Sequence, residues 1–410
     1  MSNIYETIDR CRICRSDNIE EVLNLGEQPP ANSLYRRDEE KPPTVPLRLM
    51  FCQQCSTIQL GENVNPEYLF SEYLWVTGTS EIAEQYSNEF AKKALFQIVE
   101  QNNSPYVIEI ASNDGTFLKR FIENGCKVLG IDPAKNIAEL AEKNGVPTKA
   151  AFFTESLAKQ LAKKEGKADI VFARNVIPHV KEIHSVIKGI SEIMHEKSVG
   201  IIEVHDASLI LDNLHYDYIY HEHLFYYSLK TISGLIKRYG LYVYDVGLSP
   251  ISGGSWVVYF SKNKKEKTKT LLDYEKQESE KGVNDYYRWI DFSKEVMIHS
   301  EKLKKMVVRD DKKIVAYGAS ARSSTLLNFC GITNEHISVI IDKNPMKSGL
   351  STAGSNIPVV SFEDGLKEIK VSKKILLLAW NFQDEIVQEL RDAGFLGKFI
   401  IPLPGDPHIL

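Results

Sequence analysis

Between residues 106 and 204 the chain repeats one pattern, a short apolar run followed by an amphipathic stretch. YVIEI (106–110), KVLGID (127–132), DIVFARN (169–175) and VGIIEV (199–204) read as buried parallel strands, because polar and apolar residues scarcely alternate in them. FLKRFIENG and AKNIAELAEKNG place apolar residues at helical spacing, and each ends at glycine, a common helix stop. This alternation predicts an α/β fold, a doubly wound sheet that binds ligands at the carboxyl ends of its strands.

The first strand runs into EIASNDGTFL, whose loop holds Asn113, Asp114 and a single glycine, Gly115. A dinucleotide fingerprint uses three glycines to bring a pyrophosphate onto the helix start, so that cofactor is disfavoured. The loop suits a smaller, zwitterionic tail. Asp132 ends the second strand, seventeen positions after Gly115, where a carboxylate accepts both hydroxyls of a ribose and repels a 2′-phosphate. ARNVIPHV brings Asn175 and His179 to the same crevice. Adenosine, a ribose diol and an amino-acid end are the parts of S-adenosylmethionine (SAM), the expected cofactor. Its expected contacts are Glu109, Ala111, Asn113, Asp114, Gly115, Asp132, Pro133 and Asn175. The competing reading is a structural turn with an acidic helix cap. The pairing of E-x-x-x-N-D-G-x-F with G-I-D-P at this distance favours the methyltransferase.

Four of the six cysteines form two C-x2-C pairs, Cys11 with Cys14 and Cys52 with Cys55, separated by 37 residues. That is the ligand spacing of a closed tetrahedral zinc site, and four thiolates leave no open position for catalysis. Structural zinc is therefore expected, while Cys126 and Cys330 sit in apolar segments as core residues. The reading as redox dithiols is weaker, since neither pair precedes a helix in a βαβ unit. A net charge of −5 argues against a nucleic-acid partner. No segment approaches a membrane span, and MSNIYETIDR has no secretory apolar core. A cytoplasmic enzyme is expected.

Residues 216–228, YDYIYHEHLFYYS, concentrate two histidines, a glutamate and six tyrosines or phenylalanines. Tyr216, Tyr218, Phe225 and Tyr226 read as core or interface aromatics with wet hydroxyls, and His221 as structural. His205, in EVHD, is a possible crevice liner, whereas His184, His195 and His215 receive no role.

Taken together, the paired knuckles, EIASNDGTFL, GIDPA, NVIPHV, IYHEH, ISGGSWVVYF and YGASARSSTLLNFCG…DKNPMKSG…LLLAWNF…KFIIPLP carry a resemblance along nearly the whole chain. The chain resembles the sugar-nucleotide C-methyltransferases that act on deoxy sugars, of the C-3′ type. The resemblance implies that His223 is the general base, with Glu222, Tyr220 and His179 in the active site. It also implies an upstream tyrosine in EYLWVTGTS, at Tyr73 or replaced by Trp75, and a histidine before GGS where this chain has Ser252. The implied substrate is a 4-keto deoxy sugar linked to dTDP, GDP, CDP or UDP. Its ketone acidifies the adjacent C–H, and a base with a pKa near 7 suits the proton transfer. Tyr220 would then donate to the enolate oxygen.

The last third is charge-rich over 262–312, expected as long helices with solvated faces, and then starts a second alternation at KIVAYGA (313–319). ISVIID (337–342), KKILLLAW (373–380) and KFIIPLP (398–404) read as its further strands. Ser320, Arg322, Ser323 and Ser324 at a helix start make a diphosphate seat or, in a competing reading, a closed N-cap. Asp342 and Asn381 are placed in the same crevice. The resemblance implies that this half holds the substrate nucleotide, and the missing G-x-G-x-x-G weakens an NAD reading. The expected organisation is a zinc-binding module (1–66), a class I SAM methyltransferase sheet (67–262) and a helical linker with a Rossmann-like domain (263–410). Rival readings are O- or N-methyl transfer to another small molecule, and a non-catalytic sugar-nucleotide-binding protein.

Overall fold

The computed structural model describes residues 4–70, 81–98, 104–249, 254–308 and 312–410. Tyr73, Trp75 and Ser252, singled out from the sequence, lie outside the described residues.

Seven strands form the central sheet, in the order Tyr242–Ser249, Ser255–Ser261, Met194–His205, Ala168–Arg174, Tyr106–Ile110, Lys127–Asp132, Thr148–Ala150. Only Ser255–Ser261 runs antiparallel to its neighbours. Every residue of Tyr106–Ile110 is buried, as its unbroken apolar run demands. Strand order reverses between Tyr106–Ile110 and Ala168–Arg174, so the loops that follow these two strands part around a crevice. The helix Thr116–Glu123 packs Phe117, Leu118 and Phe121 onto the sheet. VGIIEV is the end of a longer strand, Met194–His205, whose register shifts between Met194 and Val199.

The N-terminal strands Ile19–Gln28, Val45–Cys52 and Ile58–Leu60 form an antiparallel sheet. Its fourth strand, Phe225–Tyr226, comes from the histidine-dense stretch and pairs with Ile58 and Gln59. Leu47, Leu49 and Phe51 are buried from this sheet. The C-terminal sheet runs Val359–Val360, Ile337–Ile341, Ile314–Tyr317, Lys374–Leu377, Lys398–Ile401, His408–Ile409, parallel except for the last strand. The KKILLLAW strand stops at Leu377, because the Leu378 and Ala379 N–H groups both turn back to the Tyr317 carbonyl, at 2.9 and 3.2 Å.

Two helices follow the central sheet in the chain, Lys269–Glu280, which packs against strand Tyr242–Ser249, and Tyr286–Val308. The second is less solvated than its charges suggest. It buries Trp289, Phe292, Val296, Leu303 and Val307 in one apolar cluster that runs from the N-terminal sheet to the C-terminal one. The lysine run at 263–267 is exposed, as expected. Among the described residues no helix is long and apolar enough to cross a membrane.

Candidate active site

The two cysteine pairs converge. One ligand sulfur from each of Cys11, Cys14, Cys52 and Cys55 lies within 4.8 Å of the other three. Cys11 and Cys55 Sγ are 3.7 Å apart and Cys14 and Cys52 Sγ 3.4 Å, close to the roughly 3.8 Å that tetrahedral zinc sets between thiolates at Zn–S distances of about 2.3 Å. Each knuckle closes alike: the Arg15 N–H donates to the Cys11 carbonyl and the Ser56 N–H to that of Cys52, with Arg15 and Ser56 in left-handed backbone. The donor set fits structural zinc, held by these four residues. Arg12, between two of them, turns its guanidinium inward to Gln59, the Leu60 and Glu62 carbonyls and Asn63. It thereby fastens the knuckle to the strand that pairs with Phe225–Tyr226.

The crevice loop is built by backbone that bends the wrong way for most residues. Ala111, Asn113 and Gly115 have φ of 57°, 50° and 80°. A Cβ on Gly115 would also stand 2.7 Å from Val146, so glycine is required there on two counts. The Asp114 carboxylate, just before the helix, accepts from the Thr116 hydroxyl at 2.7 Å and from its N–H at 3.3 Å. Asp132 holds the loop: Oδ2 accepts from the Asn113 N–H at 3.0 Å and Oδ1 from the Ala134 N–H at 2.9 Å. Each oxygen keeps a second lone pair, which suits a diol. Burial raises the Asp132 carboxyl above its usual range. Pro133 is exposed beside it. Glu109 is 3% exposed within its strand, and burial raises its carboxyl well above the ordinary value. Across the crevice Asn175, at φ 50°, donates its backbone N–H to the Glu203 carbonyl at 2.9 Å. Glu203 also takes Arg174 Nε at 2.8 Å, and that guanidinium lies 3.3 Å over the Phe117 ring. Nothing in the local sequence marked Arg174 and Glu203, since their pairing depends on neighbouring parallel strands.

The histidine-dense stretch is clamped between two sheets. The Leu224 N–H donates to the Pro178 carbonyl at 2.8 Å, and His221 Nε2 donates to the Val45 carbonyl at 3.2 Å. His221 is thus structural. Tyr216, Tyr218, Phe225 and Tyr226 are all buried. His223 Nδ1 lies 2.9 Å from the Tyr218 carbonyl, which can only accept, so Nδ1 carries the proton. Nε2 then holds the lone pair, and the Tyr220 hydroxyl donates to it at 2.8 Å. The His179 ring stands 4.9 Å from that of His223. Burial lowers His223 well below the ordinary imidazole value and pulls His179 down to about 4. The expected pKa near 7 is therefore corrected downward for the imidazole. Glu222 has the value near 7 instead: burial pushes it up to about 7, against the opposing hydrogen bond from Asn32. Asn32 Nδ2, from the zinc-binding end, meets Glu222 Oε1 at 2.5 Å, a contact no local pattern could reveal.

The helix start at 320 differs from the open seat. Ser320 Oγ accepts from the Ser323 N–H at 3.2 Å, Ser323 Oγ donates to the Ser320 carbonyl at 2.6 Å, and Ser324 Oγ accepts from Asn328 at 3.3 Å. Asp342 accepts from the Ala319 N–H and Lys347 Nζ, and Asn381 is exposed. Arg322 reaches away to Asp217, with Nε donating to Oδ2 at 3.0 Å, and stacks on Tyr218 and Trp380 at 4.2 and 4.3 Å. Ser320 and Ser323 thus make a hydrogen-bonded N-cap at this helix start, and Arg322 turns to Asp217. Arg322 thereby braces the histidine-dense stretch.

Comparison with known proteins decides the family. A C-methyltransferase C-terminal domain matches residues 250–404, a methyltransferase domain 82–246 and a zinc binding domain 11–70. The C-methyltransferase NovU of Streptomyces niveus is 30% identical over 420 aligned residues, covering 100% of this chain and 99% of that protein. The chain belongs to this C-methyltransferase family. It is a SAM-dependent methyltransferase with a zinc-binding N-terminal region. Solved methyltransferase structures align with part of the chain. Magnesium protoporphyrin IX methyltransferase of Synechocystis PCC 6803 with bound SAM is 12% identical, with a TM-score of 0.35 over 48% of this chain and 89% of its own. The CcbJ methyltransferase of Streptomyces caelestis is also 12% identical, with a TM-score of 0.34 over 43% of this chain and 90% of its own.

Proposed function

We propose that this C-methyltransferase acts on a carbon of a nucleotide-linked 4-keto deoxy sugar, with His223 as the base. The observation that carries the reading is the fixed tautomer of His223, whose lone pair on Nε2 is oriented by the Tyr218 carbonyl behind it. Burial keeps the ring neutral, hence able to accept a proton, throughout the neutral range. The single hydroxyl hydrogen of Tyr220 serves one acceptor at a time. When the ketone arrives, that hydrogen turns from Nε2 to the ketone oxygen, which frees Nε2 and stabilises the enolate together. Nε2 then takes the proton next to the ketone, and the C–H electron pair becomes the enolate. SAM held at Asp132 and the loop 113–115 would supply the electrophilic methyl group for the enolate carbon.

In this reading Asn113, Asp114, Gly115, Asp132 and Asn175 line the SAM crevice, with Glu109, Ala111 and Pro133 shaping it. His179 and Glu222 flank the sugar, together with the upstream residue that the resemblance implies, Tyr73 or Trp75 in its place. Residues 1–66 hold zinc, 67–262 carry the chemistry, and 263–410 complete the acceptor side. The test uses methyl-labelled SAM with 4-keto deoxy sugars linked to dTDP, GDP, CDP and UDP. Label on a ring carbon is the expected result. Label on an oxygen or nitrogen, or on no member of the set, rejects the carbon-transfer reading.

A further inference from the structure

Buried polar atoms in folded proteins nearly always have partners. Beside the Tyr218 ring they do not. Both ring nitrogens of His215, both of His205 and Oδ1 of Asp217 have no hydrogen-bond partner. His215 is 3% exposed and Asp217 1%. The His205 and His215 rings are 6.5 Å apart, and they lie 3.9 and 6.2 Å from the ring of Tyr218. The His215 ring is also 4.8 Å from that of Trp380. The three residues come from the end of strand Met194–His205 and from the junction into the histidine-dense stretch, where Trp380, just past strand Lys374–Leu377, and Arg322, of helix Ala321–Phe329, meet them.

We propose that His215, His205 and Asp217 form the hydroxyl-binding wall of the acceptor site, where they grip the sugar ring of the substrate. The proposal rests on the sugar reading given above. Each neutral imidazole offers one donor and one acceptor, and Asp217 Oδ1 adds an acceptor. Asp217 is already balanced, since its Oδ2 receives both Arg322 Nε at 3.0 Å and Trp380 Nε1 at 2.9 Å. The set therefore has no surplus positive charge for a diphosphate, and a phosphate oxygen would face a carboxylate. A neutral ring with several hydroxyls satisfies donors and acceptors alike, while Tyr218 and Trp380 give it apolar faces. The position fits, because the Tyr218 ring is 5.9 Å from that of His223. Burial keeps His205 and His215 uncharged, at about 3 and about 4.

His215→Phe keeps a ring and removes both nitrogens. With the nucleotide sugar that the wild type methylates, KM is expected to rise about tenfold or more. Calorimetric affinities for SAM and for the free nucleoside diphosphate stay unchanged. His215→Asn, which keeps a donor and an acceptor, recovers part of the loss. A substrate analogue lacking one sugar hydroxyl is expected to bind worse than substrate to the wild type but equally well to His215→Phe. An unchanged KM in a folded variant overturns the proposal, as does an equal loss for sugar nucleotide and free nucleotide. Should His215→Phe fail to fold, His205→Phe is read in the same way. Should the wild type bind sugar nucleotides without methylating them, the sugar chemistry fails, and the wall is judged from those binding constants.

Discussion

Asn32 and Glu222 are 190 positions apart in the chain, yet Asn32 Nδ2 donates to Glu222 Oε1 at 2.5 Å. The zinc-binding end thus touches the histidine-dense stretch directly. It touches it a second time through the pairing of Ile58 and Gln59 with Phe225 and Tyr226. The hydrogen bond favours ionised Glu222, while burial favours the protonated form and wins, lifting the group to about 7.

Removing the bond in Asn32→Ala is expected to raise Glu222 further. Where the carboxylate is the active form, the acid limb of kcat/KM moves to higher pH, as a pH–rate profile reads. An unmoved limb places Glu222 outside the catalytic ionisations.

The raised Glu222 also has a stability signature. Its folded pKa exceeds its unfolded one, so the native state binds more protons between about 4.5 and 7 and loses stability as pH rises through that window. Glu222→Gln removes this penalty. At pH 8 the variant is expected to be more stable by about 3 kcal/mol, and the advantage disappears near pH 4. Denaturant melts at the two values check it.

The buried histidines act in the opposite direction. Burial lowers His179, His215 and His221 to about 4 and His205 to about 3. The unfolded chain takes up these protons first, so their contribution is present above about 6.5 and is lost as pH falls towards 4. A steep fall in melting temperature between pH 6.5 and 4 is expected. Replacing His221, whose Nε2 only holds the Val45 and Pro46 carbonyls, by Gln should flatten it.

Zinc removal should reach the active site. Cys52→Ser is expected to abolish the zinc content, lower the melting temperature and reduce kcat, because Arg12 links the knuckle to the strand under Phe225–Tyr226. Unchanged kcat in a zinc-free protein would separate the two.

Asp132→Ala should weaken SAM binding roughly 10- to 100-fold, by loss of the diol contact and of the loop bonds to Asn113 and Ala134. Calorimetry with SAM measures it, and intact affinity moves the ribose elsewhere.

What was legible in the sequence follows the range of each interaction. YVIEI and KVLGID matched their strands to the residue, because a strand buried on both faces leaves a continuous apolar record. The Cys pairs were legible through fixed spacing. Strand Thr148–Ala150 left no apolar signal, being half-exposed at the sheet edge. The inner stripe of Tyr286–Val308 was masked by the charges on its outer face. At the site, Tyr220 and His223 lie three positions apart, so their hydrogen bond falls within the short motif that carries the resemblance. Asn32, Arg174, Glu203 and the turn of Arg322 towards Asp217 depend on pairings across sheets, which no short window contains. The serines at 320–324 left two readings open in the sequence, because an N-cap and an anion seat use the same residue types.

The most direct measurement follows deuterium from solvent into the acceptor sugar when S-adenosylhomocysteine replaces SAM, so that proton transfer proceeds without methyl transfer. Wild type is expected to exchange the hydrogen next to the ketone, and His223→Asn to lose that exchange by about 10²–10⁴-fold while still binding the cofactor. Exchange at the wild-type rate in folded His223→Asn would contradict the assignment of the base.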